Sequence, residues 1–246
     1  MKFDGIRWVW LDLDDTLIDF KVNSRAALRI VYDECDIQRF IPTADEWVET
    51  YEAHNHSLWD RYSRQEITQD FLRVDRFFTP LRQGWKGSAD ELVKFSWELD
   101  TIYLDRLARQ KTLLPGAMEL LDHLRAHNYN IGILSNGFTE VQHAKLTNTG
   151  IGPKIDLVVL SDDIGVNKPD TRLYNHAMER AGDTDPNHHL MIGDNLSTDI
   201  RGALDSGWHA IHLDRSQNGT PEWGASYLVT HDLPSITAIF TRHISP

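Results

Sequence analysis

The chain has 246 residues, enough for one large domain or two smaller ones with a sizeable hydrophobic core. Its formal net charge of −12 argues against nucleic-acid polymers and anionic membranes as main partners, because both require basic surface. The single cysteine, Cys35, rules out an intramolecular disulfide and is typical of a reducing compartment. The sequence shows neither a signal-peptide pattern nor a membrane span, so we expect a cytoplasmic protein, monomeric or homodimeric.

The first predicted element is a strand, the apolar run IRWVWLDL at residues 6–13. The next segment, residues 19–104, has no clear strand run, and its apolar residues recur three and four positions apart. That spacing predicts helices, and the breakers in TPLRQGWKGSAD predict a loop over residues 79–90. An all-helical block therefore interrupts the chain after its first strand.

The remainder alternates between short apolar runs and amphipathic segments. The predicted strands are residues 130–135, 156–161, 189–194 and 209–214, and the predicted helices are residues 118–127, 140–148, 171–181 and 198–206. Strands that alternate with helices of about ten residues indicate βαβ units and a parallel sheet. The predicted fold class is thus α/β, a Rossmann-like parallel-sheet core of residues 1–18 and 105–246 with an inserted all-helical domain of residues 19–104.

Polar side chains follow the ends of several predicted strands, where open parallel sheets bind their ligands. The set is Asp12, Asp14, Ser135, Asn136, Lys168, Asp194 and Asp199. A divalent cation between Asp12 and Asp194 would neutralise charge that is otherwise costly to bury, and carboxylate oxygens suit Mg²⁺. A carboxylate here can attack phosphorus, and a second can give a proton to the leaving alkoxide and take one from water.

These residues occur in four segments: DLDDT (12–16), SNG (135–137), KP (168–169) and GDN with a later aspartate (193–199). In order and spacing they resemble the four motifs of the haloacid dehalogenase-like hydrolase superfamily, with the helical block as its cap. The resemblance implies that Asp12 is the nucleophile, Asp14 the acid/base and Lys168 the residue that neutralises charge. It further implies phosphate binding by Ser135 and Asn136, together with Thr16, which orients the loop. Mg²⁺ would be held by Asp12, the backbone carbonyl of Asp14 and Asp194, with Asp199 supporting these ligands from behind.

Several functions remain open within and beyond this superfamily. A 2-haloacid dehalogenase also uses an aspartate nucleophile, but it lacks the second aspartate because halide needs no proton. A sugar-phosphate mutase would retain Asp14. In a signalling receiver domain the acidic pair and the phosphorylated aspartate lie on different strands. A catalytically inactive binding module would not need every catalytic position filled, whereas in this sequence every one is filled. We therefore expect a phosphatase.

The substrate is predicted from two stretches outside the motifs. Residues 55–77 and 135–151 resemble the bacterial pyrimidine nucleoside 5'-monophosphatases, which implies a nucleotide substrate; a sugar or sugar-acid phosphate is the alternative. A nucleotide needs a flat apolar slot for its base and a polar pocket for its phosphate. The candidate contacts are Phe20, Lys21, Asn55, Trp59 and Tyr62.

Overall fold

The computed structural model describes residues 5–216, 222–223 and 226–244. Within these ranges the strands are β1 (Trp8–Leu11), β2 (Asn130–Ser135), β3 (Leu157–Leu160), β4 (His189–Gly193), β5 (His209–Leu213), β6 (Glu222–Trp223) and β7 (Leu228–Thr230). The α-helices are α1 (Phe20–Glu34), α2 (Ala44–Ser63), α3 (Gln69–Leu81), α4 (Ala89–Ala108), α5 (Ala117–Ala126), α6 (Thr139–Thr149), α7 (Thr171–Ala181), α8 (Arg201–Asp205) and α9 (Leu233–Ile244).

The strands form one sheet in the order β3-β2-β1-β4-β5-β7-β6, in which β6 alone among the described strands runs antiparallel to its neighbour. The chain alternates strand and helix through β2, β3, β4 and β5, as the apolar runs indicate, and the predicted α/β fold class is confirmed. Leu11 lies opposite both Ile133 and Ile192 in the parallel register. The carboxyl ends of β1, β2 and β4 therefore reach the same edge of the sheet.

Side chains of β1 alternate between two apolar clusters, one on each face of the sheet. Val9 and Leu11 belong to the cluster that includes residues of α5 and α9, whereas Trp10 belongs to the cluster that includes residues of α7. The Trp10 ring needs the space beside Gly132, where an added Cβ would lie 2.3 Å from a ring carbon. Its indole Nε1 donates to Nδ1 of the buried His189 at 3.0 Å. Burial of both faces explains why the central strands are apolar throughout.

The Cα positions divide the chain into two compact units, Met1–Phe20 with Lys111–Pro246, and Lys21–Gln110. The second unit consists of most of α1 together with α2, α3 and α4, each of the last three with a Thr or Ser side chain capping its first turn. Inside it, the fully buried Asp100 accepts hydrogen bonds from Arg73 at 2.7 Å and from Arg76. An ion pair of this kind, closed off from solvent, stabilises the unit only while both charges are present.

The predicted loop at residues 79–90 is wrong at both ends. The helix α3 continues through Pro80 to Leu81, and α4 already begins at Ala89. Pro80 is tolerated because it lies in the last turn, where its missing N–H removes a single hydrogen bond from a helix that ends one residue later. Of the helices that the structure describes, none combines the length and apolar character that a membrane span requires.

Candidate active site

The loop after β1 begins as an extension of the sheet. The backbone N–H of Asp12 donates to the carbonyl of Ile192 at 3.0 Å, which adds one more ladder bond beyond the strand. Three residues later Asp15 adopts a left-handed backbone conformation, with φ of 57°, so the chain turns sharply at the sheet edge. Thr16 is fully buried, and its hydroxyl donates to Oδ1 of Asp194 at 3.4 Å. The threonine thus links the first loop to the loop after β4.

Lys168 lies at the centre of the site. Its Nζ donates to Oδ1 of Asp12 at 2.7 Å, to Oδ1 of Asp199 at 2.6 Å and to the carbonyl of Leu134 at 2.8 Å. These contacts use all three N–H bonds of an ammonium group. The backbone of Lys168 is in turn fixed by Asn136, whose side chain accepts from its N–H at 2.7 Å and donates to its carbonyl at 3.1 Å. The lysine is therefore held at both ends.

Three carboxylates converge at this edge: oxygens of Asp12, Asp194 and Asp199 all lie within 4.8 Å of one another. With Lys168, three carboxylates and one ammonium would carry a net charge of −2 if all were ionised. Burial raises the pKa of Asp12 to about 7, against the opposing effect of Lys168. Burial, together with the charges of Asp199 and Asp12, raises the pKa of Asp194 to about 8.

The pKa of Lys168 itself lies above its ordinary value. Burial acts to lower it, but the adjacent carboxylates of Asp12 and Asp199 outweigh that effect. The ammonium therefore stays charged, and the raised pKa values of Asp12 and Asp194 show that this one cation does not offset three buried carboxylates. A hard divalent cation fits such a donor set, because it supplies the missing positive charge and prefers carboxylate oxygens. The residues present thus suit Mg²⁺.

Asp199 contacts both the charged lysine and the loop after β4. Its Oδ2 accepts from the backbone N–H of Asn195 at 3.0 Å while its Oδ1 accepts from Lys168. It lies in a π-helical turn, Leu196–Ile200, whose carbonyls at Thr198 and Asp199 accept from the Tyr174 hydroxyl at 2.9 and 3.0 Å. This turn, together with α8, replaces the single helix predicted over residues 198–206. The turn fixes Asp199 beside Lys168.

Asp14 lies in a separate group of contacts. Nζ of Lys145 donates to its two carboxylate oxygens at 2.7 and 2.8 Å. Nε2 of Gln142 donates to Oδ2 of Asp14 at 3.0 Å and to the Ser135 hydroxyl at 2.8 Å. Phe20 contacts this group, with its ring centre 5.1 Å from the Lys145 ammonium. The structure thus brings Asp14 and Ser135 together through α6.

Sequence reasoning did not identify Gln142 or Lys145 as site residues. Both lie in the stretch SNGFTEVQHAKLTNTGI, whose resemblance to nucleotidases does not single out individual residues. A local signal did exist, since residues three apart share one face of a helix and both are polar. A buried glutamine and lysine on the first helix after a strand-end motif require polar partners, and Asp14 meets that requirement.

The predicted cap contacts lie in the unit Lys21–Gln110, apart from Phe20. Lys21 is exposed, and Asn55 is buried with no hydrogen-bond partner for its Oδ1 among the described residues. Trp59 and Tyr62 are partly exposed and contact each other edge to face, with ring centres 5.6 Å apart. Phe20, the third aromatic residue of this set, is also partly exposed.

Comparisons with known proteins identify the family of this chain. A family model for haloacid dehalogenase-like hydrolases matches residues 6–207. The chain is 32% identical over 241 residues to the pyrimidine 5'-nucleotidase YjjG of Escherichia coli, covering 96% of this chain and 98% of that protein. It is 30% identical over 210 residues to a glyceraldehyde 3-phosphate phosphatase of Methanothermobacter thermautotrophicus, covering 84% of each.

Solved structures give the same result. The crystal structure of YfnB from Bacillus subtilis, bound to magnesium, matches with a TM-score of 0.82 and 25% identity, covering 97% of this chain and 100% of that one. The family model spans β1 to the end of α8, the segment that contains all four motifs. The chain is an enzyme of the haloacid dehalogenase-like hydrolase family.

Proposed function

We propose that the protein is a Mg²⁺-dependent phosphomonoesterase that forms an aspartyl-phosphate intermediate on Asp12. The observation that carries the proposal is Lys168, whose ammonium bridges Asp12 and Asp199 with Asp194 close by. A carboxylate that is to attack a phosphoryl dianion needs its negative charge screened, and this arrangement provides one cation and a place for another.

Each residue then has a distinct part in the reaction. An oxygen of Asp12 attacks phosphorus and the bond from phosphorus to the leaving oxygen breaks, while Asp14 gives its proton to that oxygen. A water molecule next attacks the aspartyl phosphate and loses a proton to Asp14, and the bond from phosphorus to Asp12 breaks. Inorganic phosphate leaves, and both carboxyl groups return to their initial states.

The phosphoryl oxygens would be held by polar groups at the ends of β2 and of the loop at Lys168. Ser135, Asn136 and Lys168 are the proposed contacts, and Thr16 orients the loop through Asp194. Asp12, Asp194 and the carbonyl of Asp14 would hold Mg²⁺, which when bound screens charge on the phosphoryl group. We further propose that Asp199 acts mainly by holding Lys168 and the loop after β4.

For the substrate we propose a pyrimidine nucleoside 5'-monophosphate. The resemblance to YjjG supports this choice because it spans both units of the chain, including the helical unit where selectivity is expected. Trp59 and Tyr62 are the proposed contacts of the base, with Phe20, Lys21 and Asn55 as further candidates. We also propose that residues 1–18 and 105–246 form the catalytic core and that residues 19–104 form the cap.

The second candidate is a sugar-phosphate phosphatase, which the relative from Methanothermobacter thermautotrophicus favours. A panel of UMP, dUMP, dTMP, AMP and several sugar phosphates, compared by kcat/KM with Mg²⁺ and with EDTA, separates the two. We expect a pyrimidine nucleotide to be preferred and EDTA to abolish turnover. Sugar phosphates that exceed every pyrimidine nucleotide by more than about tenfold, ~1.4 kcal/mol of transition-state binding, would overturn the nucleotidase proposal. Full activity after complete metal removal would overturn the metal site.

A further inference from the structure

The proposed acid/base, Asp14, is held by two side chains of α6 that the four motifs do not include. We propose that Lys145 and Gln142 are positioning residues: Lys145 orients the Asp14 carboxylate for proton transfer, and Gln142 joins that carboxylate to the phosphate-binding hydroxyl of Ser135. The inference rests on the proposed phosphatase function and extends it to residues outside its motifs.

Lys145 is buried and its ammonium is held by contacts on two sides. Its side chain is 4% exposed, against 26% for that of Asp14, and its ammonium contacts both oxygens of that carboxylate. The same ammonium lies over the ring of Phe20, so it is held from two directions. A cation that grips both oxygens fixes the plane of the carboxylate, and the plane decides where the proton is delivered.

Gln142 faces Asp14 through its amide nitrogen, Nε2, which only donates hydrogen bonds. Its two N–H bonds are then used by Asp14 and by the Ser135 hydroxyl. The side chain passes close beneath the loop after β2, where a Cβ on Gly137 would lie 2.3 Å from the same nitrogen. Gly137 therefore provides the space for this link.

The link also determines how Ser135 binds phosphate. The Ser135 oxygen accepts from Gln142 and from the backbone N–H of Gly137 at 3.2 Å. A hydroxyl has two lone pairs and one proton, so both lone pairs are then occupied. The O–H is left to donate, which is the role required toward a phosphoryl oxygen. A single glutamine thus contacts both the phosphate-binding hydroxyl and the carboxylate of the acid/base.

The test compares two classes of phosphomonoester in the full-length Mg²⁺-loaded protein. Lys145→Met should lower kcat/KM at least about tenfold for an alkyl ester such as UMP, whose leaving oxygen needs a proton. It should lower kcat/KM less than about threefold for an aryl ester with a good leaving group, and Lys145→Arg should recover part of the loss.

Gln142→Met should raise the Ki of inorganic phosphate several-fold. The matched control is Lys154→Met, which removes a more exposed lysine paired with Asp122. It should leave kcat/KM unchanged for both esters.

A second measurement does not depend on turnover. Asp14→Asn leaves the Lys145 cation buried without its counter-charge, so it should lower the Tm, and adding Lys145→Met should restore part of that loss. Equal losses on both esters, or a Tm that the second substitution does not raise, would overturn the inference. A wild-type enzyme that hydrolyses neither ester would instead overturn the proposed function, while the Tm comparison would still decide whether Lys145 and Asp14 are coupled.

Discussion

Magnesium binding should release protons, because two of the carboxylates that would hold the ion have raised pKa values. With a pKa of about 8, Asp194 keeps its proton in about 99% of molecules at pH 6. Removing that proton costs about two pKa units, ~2.7 kcal/mol, so Mg²⁺ should bind about 100-fold more weakly at pH 6 than above pH 9. Asp12, with a pKa of about 7, adds to the effect in the same direction.

Titration calorimetry in buffers of different ionisation enthalpy measures both the affinity and the protons released. We expect at least one proton per ion at pH 6 and almost none above pH 9, with Asp194→Asn reducing the release. The folded pKa of Asp194 exceeds its unfolded value of 3.8, so the metal-free folded state binds the extra proton. The contribution of Asp194 to the free energy of unfolding is therefore fully present below about pH 4 and is lost as the pH rises through about 8. Bound Mg²⁺ should weaken this dependence of stability on pH. An affinity that stays constant from pH 6 to 9 without proton release would refute the reasoning.

Three further predictions concern single side chains. Asp12→Asn should nearly abolish turnover of every ester, whereas Asp14→Asn should retain some activity on aryl esters with good leaving groups; equal loss on both classes would contradict the assigned roles. Asp100→Asn should lower the free energy of unfolding, measured by urea titration, by about 3 kcal/mol, because Arg76 would stay buried opposite a neutral partner. A change below about 0.5 kcal/mol would show that the ion pair is dispensable. Burial lowers the pKa of His189, so the folded state resists its protonation, and stability should be lost as the pH falls below about 6.5; His189→Gln should flatten that part of the profile.

Much of the fold could be predicted because its signals are local. The buried parallel strands are continuous apolar runs, and β2 covers the predicted residues 130–135. The helix α7 likewise matches residues 171–181, where apolar spacing and a capping Asp170 coincide. The later elements β7 and α9 were not predicted from the sequence.

Local sequence patterns likewise identify some of the site residues, whereas the contacts of others depend on the tertiary structure. Asp12, Asp194 and Lys168 could be listed from the ends of strands, because parallel strands deliver their carboxyl ends to one edge. The contacts of Lys145 with Asp14 span 131 residues of sequence, and no local pattern specifies which carboxylate a buried lysine will meet. Likewise, no local pattern specifies that the Asp199 carboxylate accepts from the Lys168 ammonium, which lies 31 residues away in the sequence.

The central claim is that Asp12 forms a covalent phosphoryl intermediate. The direct measurement is mass spectrometry of the acid-quenched enzyme during a single turnover of UMP with Mg²⁺, followed by peptide mapping. We predict that one phosphoryl group appears transiently on Asp12 and is absent from Asp12→Asn. With an aryl ester, whose leaving group needs no proton, the group should accumulate further when Asp14→Asn slows its hydrolysis. Phosphate release at the normal rate with no phosphoryl group on Asp12 at any time point would contradict the account.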